Sequence, residues 1–231
     1  MPVSMLSRYL VSTRVGHLDQ VFHIFAYLKA HNRSTMVFDD TEPIIEGTRF
    51  VKRDWEDYYP EAAEMIPPDM PEPRGEPVVI TCFTDADHAG CQATRRSHSG
   101  IIIFVNRAPI LWYSKRQITV ETSVFGSELI ALKIGIEMIE GLRYKLRMFG
   151  VPLEGPANVF CDNNSVVTNT AKAESPLKKN NNAVAYHKTR EAIASGVIRI
   201  AHEDGKTNLA DLLTKLLPGP RLRELSAKVL W

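Results

Sequence analysis

Four acidic residues stand at the ends of segments that otherwise have the composition of buried strands or helices: Asp85, Glu128, Asp162 and Asp211. A carboxylate beside an apolar run carries a large desolvation cost unless a positive group compensates it. Mg²⁺ prefers oxygen ligands and is commonly shared with substrate phosphates, so a few carboxylates from separate elements suffice to bind it. The four acids therefore predict a site for two Mg²⁺ ions, with Mn²⁺ as an alternative, that acts on a phosphodiester.

The elements around these acids predict an α/β fold in which a mixed sheet is flanked by helices. Three early apolar runs are typical of an antiparallel meander, and the region from 123 to 148 has helical spacing. The predicted strands are residues 78–83, 100–105, 110–113, 158–161 and 197–201. The predicted helices are residues 123–148, a helix that begins at the capping residues 162–165, residues 186–194 and a last one from about Asn208. Four acids on such elements can converge at one edge of the sheet.

Each acid also has an ordinary structural explanation. Asp85 lies directly at the end of an apolar run, whereas Asp87 is expected to point to the opposite face if the strand continues, or to form a turn before Gly90. We therefore expect only Asp85 to face the site. Glu128 is common in the first turns of a helix, and Asp162 is a suitable N-cap. Only the combination of the four indicates chemistry.

Composition sets limits on the class of protein. The chain has 231 residues, of which 44% are hydrophobic, and its net charge of +1 offers no global attraction to polyanions, so nucleic acid would have to bind at local patches. Its three cysteines lack the CxxC spacing of a zinc site and do not form a disulfide framework. No apolar run is long enough to span a bilayer and the start of the chain lacks a secretory pattern. We therefore expect an intracellular protein.

Seven short motifs resemble the ribonuclease H domain of copia-type retrotransposon polyproteins and occur in that family's order. The motifs are FTDADHAGC at 83–91, TRRSHSG at 94–100, WYSKRQ at 112–117, SELIAL at 127–132, DNNS at 162–165, YHKTRE at 186–191 and ADLLTK at 210–215. The resemblance runs from about residue 77 to residue 217. It implies a ribonuclease H-like mixed five-stranded sheet flanked by helices, and a metal-dependent endonuclease that hydrolyses the RNA strand of RNA–DNA hybrids.

The resemblance also implies roles for particular residues. The four acids would be the metal ligands and catalytic groups, with Asp85, Glu128 and Asp162 at one Mg²⁺ and Asp85 and Asp211 at the second. His202 corresponds to a histidine that helps proton transfer or product release, although a plain surface histidine fits the sequence equally well. Candidate contacts to the hybrid are Arg95, Arg96, Lys115, Arg116, Asn163, Lys178 and Lys179.

The N-terminal residues resemble the C-terminal end of the reverse transcriptase region in the same polyproteins. They carry apolar residues at helical spacing from near Gly16, then a short apolar run at 36–38 that predicts a strand. The predicted division is residues 1–40 as this remnant, 41–76 as a proline-rich linker, 77–217 as the ribonuclease H-like domain and 218–231 as a tail. Expected partners are an RNA–DNA hybrid and the missing reverse transcriptase region, in the cytoplasm within a virus-like particle or in the nucleus.

Two other classes of function remain open. The chain could be a catalytically inactive remnant of a retroelement, or a structural module that binds hybrids without cutting them. An integrase or transposase of related fold would instead have three acids and a different late helix, and the ADLLTK motif with His202 upstream favours ribonuclease H.

Overall fold

The computed structural model describes residues 2–175 and 182–230 and is built around one mixed sheet. The strands are β1 (Ile80–Asp87), β2 (His98–Val105), β3 (Ala108–Arg116), β4 (Ala157–Cys161) and β5 (Ile198–His202). They lie in the order β3-β2-β1-β4-β5. The first three strands form the antiparallel meander that the sequence predicts, and β4 and β5 run parallel to β1.

Helices lie on both faces of this sheet. They are α1 (Pro2–Leu6), α2 (Val15–Ala30), α3 (Val124–Met148), α4 (Asn164–Ala171), α5 (Ala183–Ala194), α6 (Asp211–Thr214) and α7 (Gly219–Ser226), with 3-10 turns at Ser7–Tyr9 and Gly47–Arg49. The predicted architecture, a mixed five-stranded sheet flanked by helices with an N-terminal helical segment, is therefore confirmed.

The main core lies between α3 and one face of the sheet. Leu129, Leu132, Ile136 and Ile139 recur at helical spacing and are fully buried against strand residues such as Ile101. A stripe with this period is what packs a helix onto a sheet. The burial of these side chains removes apolar surface from water and fixes the position of α3 and its first turns.

A second, smaller core covers the opposite face. Leu225 of α7 is fully buried and packs with Ile102, Phe104 and Leu209. The sequence predicts one last helix from about Asn208, and this is wrong: the region forms two helices, and Pro218 is the N-cap of the second. α6 ends at Thr214, and Pro218, which disfavours continuation of a helix that precedes it, stands at the start of α7, which packs on the sheet.

In the N-terminal region, α2 is confirmed close to its predicted start, but its apolar side chains remain largely exposed. Leu18 is 52% exposed and Phe25 is 62% exposed. The predicted strand at 36–38 is wrong, because these residues have no strand partner in the structure. Strand composition alone does not make a strand, since each backbone group also needs a neighbour to bond with.

The segment predicted to be a linker, 41–76, contacts the domain at several places. Phe50 packs on Phe160 of β4, and Trp55 is buried with the guanidinium of Arg190 over its ring at 5.2 Å. Glu64 accepts hydrogen bonds from Arg143 and Arg147 of α3. The proposed domain boundaries stay predictions, and the contacts indicate where this segment is held.

Glu64 makes the strongest of these contacts, and we expect Glu64→Gln to lower the free energy of unfolding by roughly 3 kcal/mol, because it leaves the buried Arg143 guanidinium without its anion. Burial opposes ionisation of Glu64, but the hydrogen bonds from Arg143 and Arg147 lower its pKa to about 2. The stability that this carboxylate contributes is therefore present above its ordinary pKa of 4.5 and is lost as the pH falls towards 2.

Urea denaturation at pH 7 measures this effect, with Glu61→Gln, an exposed acid in the same segment, as the control. Equal stability of the Glu64 and Glu61 variants would show that the segment is not anchored through Glu64.

Within the described residues, no helix combines the length and the apolar character needed to cross a membrane.

Candidate metal centre and nucleic-acid interface

Asp85 and Asp162 are brought together by the pairing of two parallel strands. Thr84 of β1 pairs with Cys161 of β4, so the next residue of each strand, Asp85 and Asp162, projects at the same carboxyl edge of the sheet. Asp85 is 1% exposed, and Asp162 is half-buried. The two side chains therefore share one cleft edge.

Asp211 reaches this edge because α6 packs closely on β2. Gly100 of β2 lies where a Cβ would come within 2.8 Å of the Ala210 carbonyl oxygen, so a larger residue would push α6 away. Asn208, fully buried, donates from Nδ2 to the Thr84 carbonyl oxygen at 2.9 Å and accepts from the Ala210 N–H. These contacts fix the start of α6 beside β1, which holds Asp211 next to Asp85.

Glu128 is positioned by the start of α3. Ser123 is the N-cap, and its hydroxyl accepts from the Gly126 N–H. The buried Gln117 side chain donates to the Ser127 carbonyl oxygen at 2.8 Å and to the Ser99 hydroxyl at 2.9 Å. This amide ties the first turn of α3 to the sheet, and so it orients Glu128 towards the carboxyl edge.

The structure thus brings all four predicted acids together. Carboxylate oxygens of Asp85, Asp162 and Asp211 lie within 4.8 Å of one another, and a second group within the same limit consists of Glu128, Asp162 and the thiol of Cys161. Asp162 belongs to both groups. How the ligands divide between two ions stays a prediction.

Three predictions about the surroundings of these acids are corrected. Asp87 is the last residue of β1 and does not lie in a turn, so it shares a face with Asp85, two residues earlier. Its pKa is raised by partial burial and by the charge of Asp85. The N-cap of α4 is Asn163, whose side chain accepts from the Val166 N–H at 3.1 Å, and Asp162 is therefore free of that role.

Two neighbours of Asp211 that the sequence does not single out hold the acids in place. The hydroxyl of Thr214 donates to Oδ2 of Asp85. The ammonium of Lys215 lies 3.2 Å from Oδ1 of Asp85 and 2.5 Å from Oδ1 of Asp211. A cation therefore already bridges these two acids in the protein itself. The spacing of Lys215 four residues after Asp211 is the signal that would have indicated this pair on a helix.

Burial and mutual repulsion raise the pKa values of the acids. Burial, followed by the charges of Asp85 and Asp162, raises the pKa of Glu128 to about 9. Burial and then the charge of Asp85 raise the pKa of Asp162 to about 6, against the opposing charge of Lys215. Burial also raises the pKa of Asp211, while its hydrogen bond with Lys215 opposes the shift. The site is thus short of positive charge.

These residues fit a hard divalent cation. The Oε2 atom of Glu128 is buried without a hydrogen-bond partner, although Glu128 is only 3% exposed. Such an orphaned oxygen is costly unless a ligand compensates it. The remaining donors are carboxylate oxygens from separate elements, which is the donor set that Mg²⁺ and Mn²⁺ take.

The raised pKa of Glu128 predicts that the contribution of this residue to the stability of the metal-free protein falls as the pH rises from about 4.5 to 9. In this window the folded state retains a proton on Glu128 that the unfolded state, with an ordinary pKa of 4.5, has lost. A folded state that binds more protons loses stability with rising pH. Thermal melts in EDTA measure the effect as the difference in stability between the wild type and Glu128→Gln at each pH. Taking this difference cancels the pH dependence of other groups, such as Cys91, that both proteins share.

We expect the pH dependence of stability to differ less between the wild type and Glu128→Gln when Mg²⁺ is present. A parallel pH dependence of the two proteins in EDTA would contradict the raised pKa of Glu128.

The other predicted site residues that the structure describes lie at the same end of the sheet. His202 ends β5, is exposed, and places Nε2 3.1 Å from the Asp162 carbonyl oxygen. Lys115 and Arg116 end β3 and pair with Ser99 and His98 of β2. Arg95 and Arg96 lie in the loop between β1 and β2, where Arg95 is exposed. Lys178 and Lys179 lie outside the described residues.

The fold and the site together define a class: a mixed five-stranded α/β sheet that carries a cluster of four carboxylates at the edge where β1 and β4 end. No family model matches the chain. It is 27% identical over 156 residues to the retrovirus-related Pol polyprotein from transposon RE1 of Arabidopsis thaliana, covering 68% of this chain and 11% of that protein.

A second relative is matched over more of the chain. The retrovirus-related Pol polyprotein from transposon TNT 1-94 of Nicotiana tabacum is 25% identical over 217 residues, which cover 94% of this chain and 14% of that protein. Among solved structures, LC11-RNase H1 in complex with an RNA/DNA hybrid has a TM-score of 0.47 at 18% identity, covering 58% of this chain and 93% of that one.

The relatives confirm the resemblance stated from the motifs, since the homologues of this chain are Pol polyproteins of transposons. The chain spans between a tenth and a seventh of the length of these relatives.

Proposed function

We propose that this chain is a metal-dependent endonuclease that hydrolyses the RNA strand of RNA–DNA hybrids as part of a retrotransposon polyprotein. The observation that carries the proposal is the convergence of Asp85, Asp162 and Asp211 within 4.8 Å, with Glu128 beside Asp162, at one edge of the sheet. The names of the relatives, Pol polyproteins of transposons, support the polyprotein context.

The proposed ligands of two Mg²⁺ or Mn²⁺ ions are the four carboxylates. Bound there, the ions would supply charge stabilisation for the reacting phosphate and a nucleophilic water near neutral pH. Thr214 orients Asp85 through its hydroxyl, and α6 keeps Asp211 opposite it. His202 is exposed beside Asp162, where it is proposed to assist proton transfer or product release.

Hybrid binding is proposed to use the basic side chains at the same end of the sheet. Lys115 and Arg116 at the end of β3, with Arg95 and Arg96 in the neighbouring loop, form a cationic border on one side of the acids. Contacts of this kind go to phosphates and sugar hydroxyls and carry no base sequence.

The polyprotein context gives a proposed role to the N-terminal region. The apolar face of α2 is exposed and lines a cavity of about 740 Å³ together with α1. We assign residues 1–40 to the end of the reverse transcriptase region, whose preceding part would cover this face. Residues 41–76 would then connect it to the nuclease domain at 77–217, and 218–231 would follow as a C-terminal extension.

A cleavage assay with separately labelled strands tests the proposed function. In Mg²⁺ we expect the RNA strand of a hybrid to be shortened, while its DNA strand and duplex DNA remain intact, and EDTA should stop the reaction. Cleavage of the DNA strand would overturn the proposal. Hybrid binding without any cleavage in Mg²⁺ or Mn²⁺ would instead support the structural hybrid-binding module. Absence of both binding and cleavage would support an inactive remnant.

A further inference from the structure

A buried thiol lies within the acidic site and has no part in the proposed reaction. Cys161 ends β4, is fully buried, and places its Sγ within 4.8 Å of carboxylate oxygens of both Glu128 and Asp162. Its side chain faces the main core, on the same side of the sheet as α3. Mg²⁺ is bound by hard oxygen ligands, and a thiol is not among the groups that it prefers. The proposed phosphodiester chemistry therefore does not require this sulfur.

A second observation indicates that this corner of the site accepts a ligand. Oε2 of Glu128 is buried and has no hydrogen-bond partner, and the whole residue is 3% exposed. Glu128 belongs to the same group of three residues as the thiol. A buried polar atom without a partner is costly, and an ion held between it and Cys161 would satisfy it.

We propose that Glu128, Cys161 and Asp162 form a binding site for a thiophilic divalent cation, Zn²⁺ or Cd²⁺, which inhibits the nuclease by occupying two of its Mg²⁺ ligands. One sulfur with two carboxylate oxygens is a donor set that Zn²⁺ accepts, and water would complete a tetrahedron. Zinc–sulfur bonds of about 2.3 Å and zinc–oxygen bonds of about 2.0–2.2 Å are the lengths that a bound Zn²⁺ would take at these ligands.

The binding step is balanced by release of one proton. The thiol S–H bond breaks, a metal–thiolate bond forms, and the proton leaves to the buffer, with no oxidant or reductant involved. Because a hard cation gains nothing from the sulfur, removal of the thiol should affect Zn²⁺ and Cd²⁺ far more than Mg²⁺.

The chain offers matched controls for this thiol. Cys82 on β1 is equally buried and belongs to the same core, but no acid pair lies beside it in the part of the chain that the structure describes. Cys91 is partly exposed and is the thiol that added metal would reach first. Cys91→Ser is therefore the parent protein, to which Cys161→Ser or Cys82→Ser is added.

Cd²⁺ titration of the full chain, followed by the ultraviolet charge-transfer absorption of a cadmium–thiolate bond, tests the site without reference to cleavage. We expect the parent and the Cys82→Ser variant to bind one Cd²⁺ with this absorption. The Cys161→Ser variant should lose the absorption and bind Cd²⁺ at least about a hundredfold more weakly, since even loss of a supporting group around a metal costs about 10- to 100-fold.

Mg²⁺ affinity, measured by calorimetry, should differ little between the three proteins. Absence of the absorption in the folded parent would overturn the proposal, and so would its persistence after Cys161→Ser. If the Cys161→Ser variant does not fold, the Cys82→Ser variant still tests the site, because Cys161 is then the one cysteine left in the sequence.

The inhibitory part of the proposal rests on the proposed nuclease function, whereas the binding part does not. In an excess of Mg²⁺, we expect Zn²⁺ to suppress hybrid cleavage by the parent and by the Cys82 variant. Suppression should be much weaker for the Cys161 variant, each protein being compared with its own rate in Mg²⁺ alone. A cadmium–thiolate absorption without any hybrid cleavage would contradict the nuclease function and leave the metal site standing. Equal suppression of all three proteins would overturn the inhibitory role.

Discussion

Asp162→Asn is expected to reduce Mg²⁺-dependent cleavage of the RNA strand by at least about a thousandfold, equivalent to about 4 kcal/mol of transition-state stabilisation. Asp162 belongs to both groups of potential metal ligands, so its loss weakens the binding of either ion. An amide retains the shape of the side chain but supplies no negative charge to a divalent cation.

The same substitution should stabilise the metal-free protein. Burial and the charge of Asp85 raise the pKa of Asp162 to about 6, which means that the ionised carboxylate destabilises the folded state at neutral pH. Thermal melts in EDTA measure this gain, and Asp69→Asn, at an exposed acid outside the site, is the matched control for both assays. Loss of activity together with loss of stability would indicate a misfolded variant, and full activity would remove Asp162 from the site.

Lys215→Met is expected to have opposite effects on metal-free and metal-bound protein. The ammonium of Lys215 bridges Asp85 and Asp211 and partly offsets their repulsion. Its removal should lower the free energy of unfolding in EDTA by about 2 kcal/mol, a value between those of exposed and buried ion pairs because Lys215 is partly exposed.

The same removal should tighten Mg²⁺ binding by at least about tenfold, because an added cation no longer competes with a fixed one at these acids. Calorimetric Mg²⁺ titrations and urea denaturation in EDTA measure the two effects. Lys133→Met, which breaks an i,i+4 pair with Glu137 on α3, should change stability by less than about 1 kcal/mol. A Lys215 variant with unchanged Mg²⁺ affinity would show that the ammonium does not share the cation site.

The parts of the fold that could be predicted from sequence are those with a local pattern. The period of Leu129, Leu132, Ile136 and Ile139 predicts α3, and the apolar runs around residues 100–113 predict the meander. Strand 36–38 fails because a strand also requires a partner, which no local pattern supplies. Pro218 indicates that one helix cannot continue through this region, and the structure has two, α6 ending at Thr214 and α7 beginning at Gly219.

The candidate site shows a similar division. The four acids were found because each lies beside an apolar run, and the structure brings them together. The roles of Lys215 and Thr214 depend on how closely α6 approaches β1, and that approach is set by Gly100 and Asn208 from other parts of the chain. Tertiary distances of this kind cannot be read from spacing along the sequence.

The chemistry at the ends of the cleaved RNA provides the most direct test of the central claim that these carboxylates hold divalent ions which hydrolyse the RNA strand. The measurement is an end-group analysis of a hybrid incubated with the full chain in Mg²⁺, beside Asp85→Asn. We predict fragments with 5′ phosphates and 3′ hydroxyls from the wild type and none from the variant. Fragments with cyclic 2′,3′ phosphates, formed equally in EDTA and by Asp85→Asn, would contradict the account.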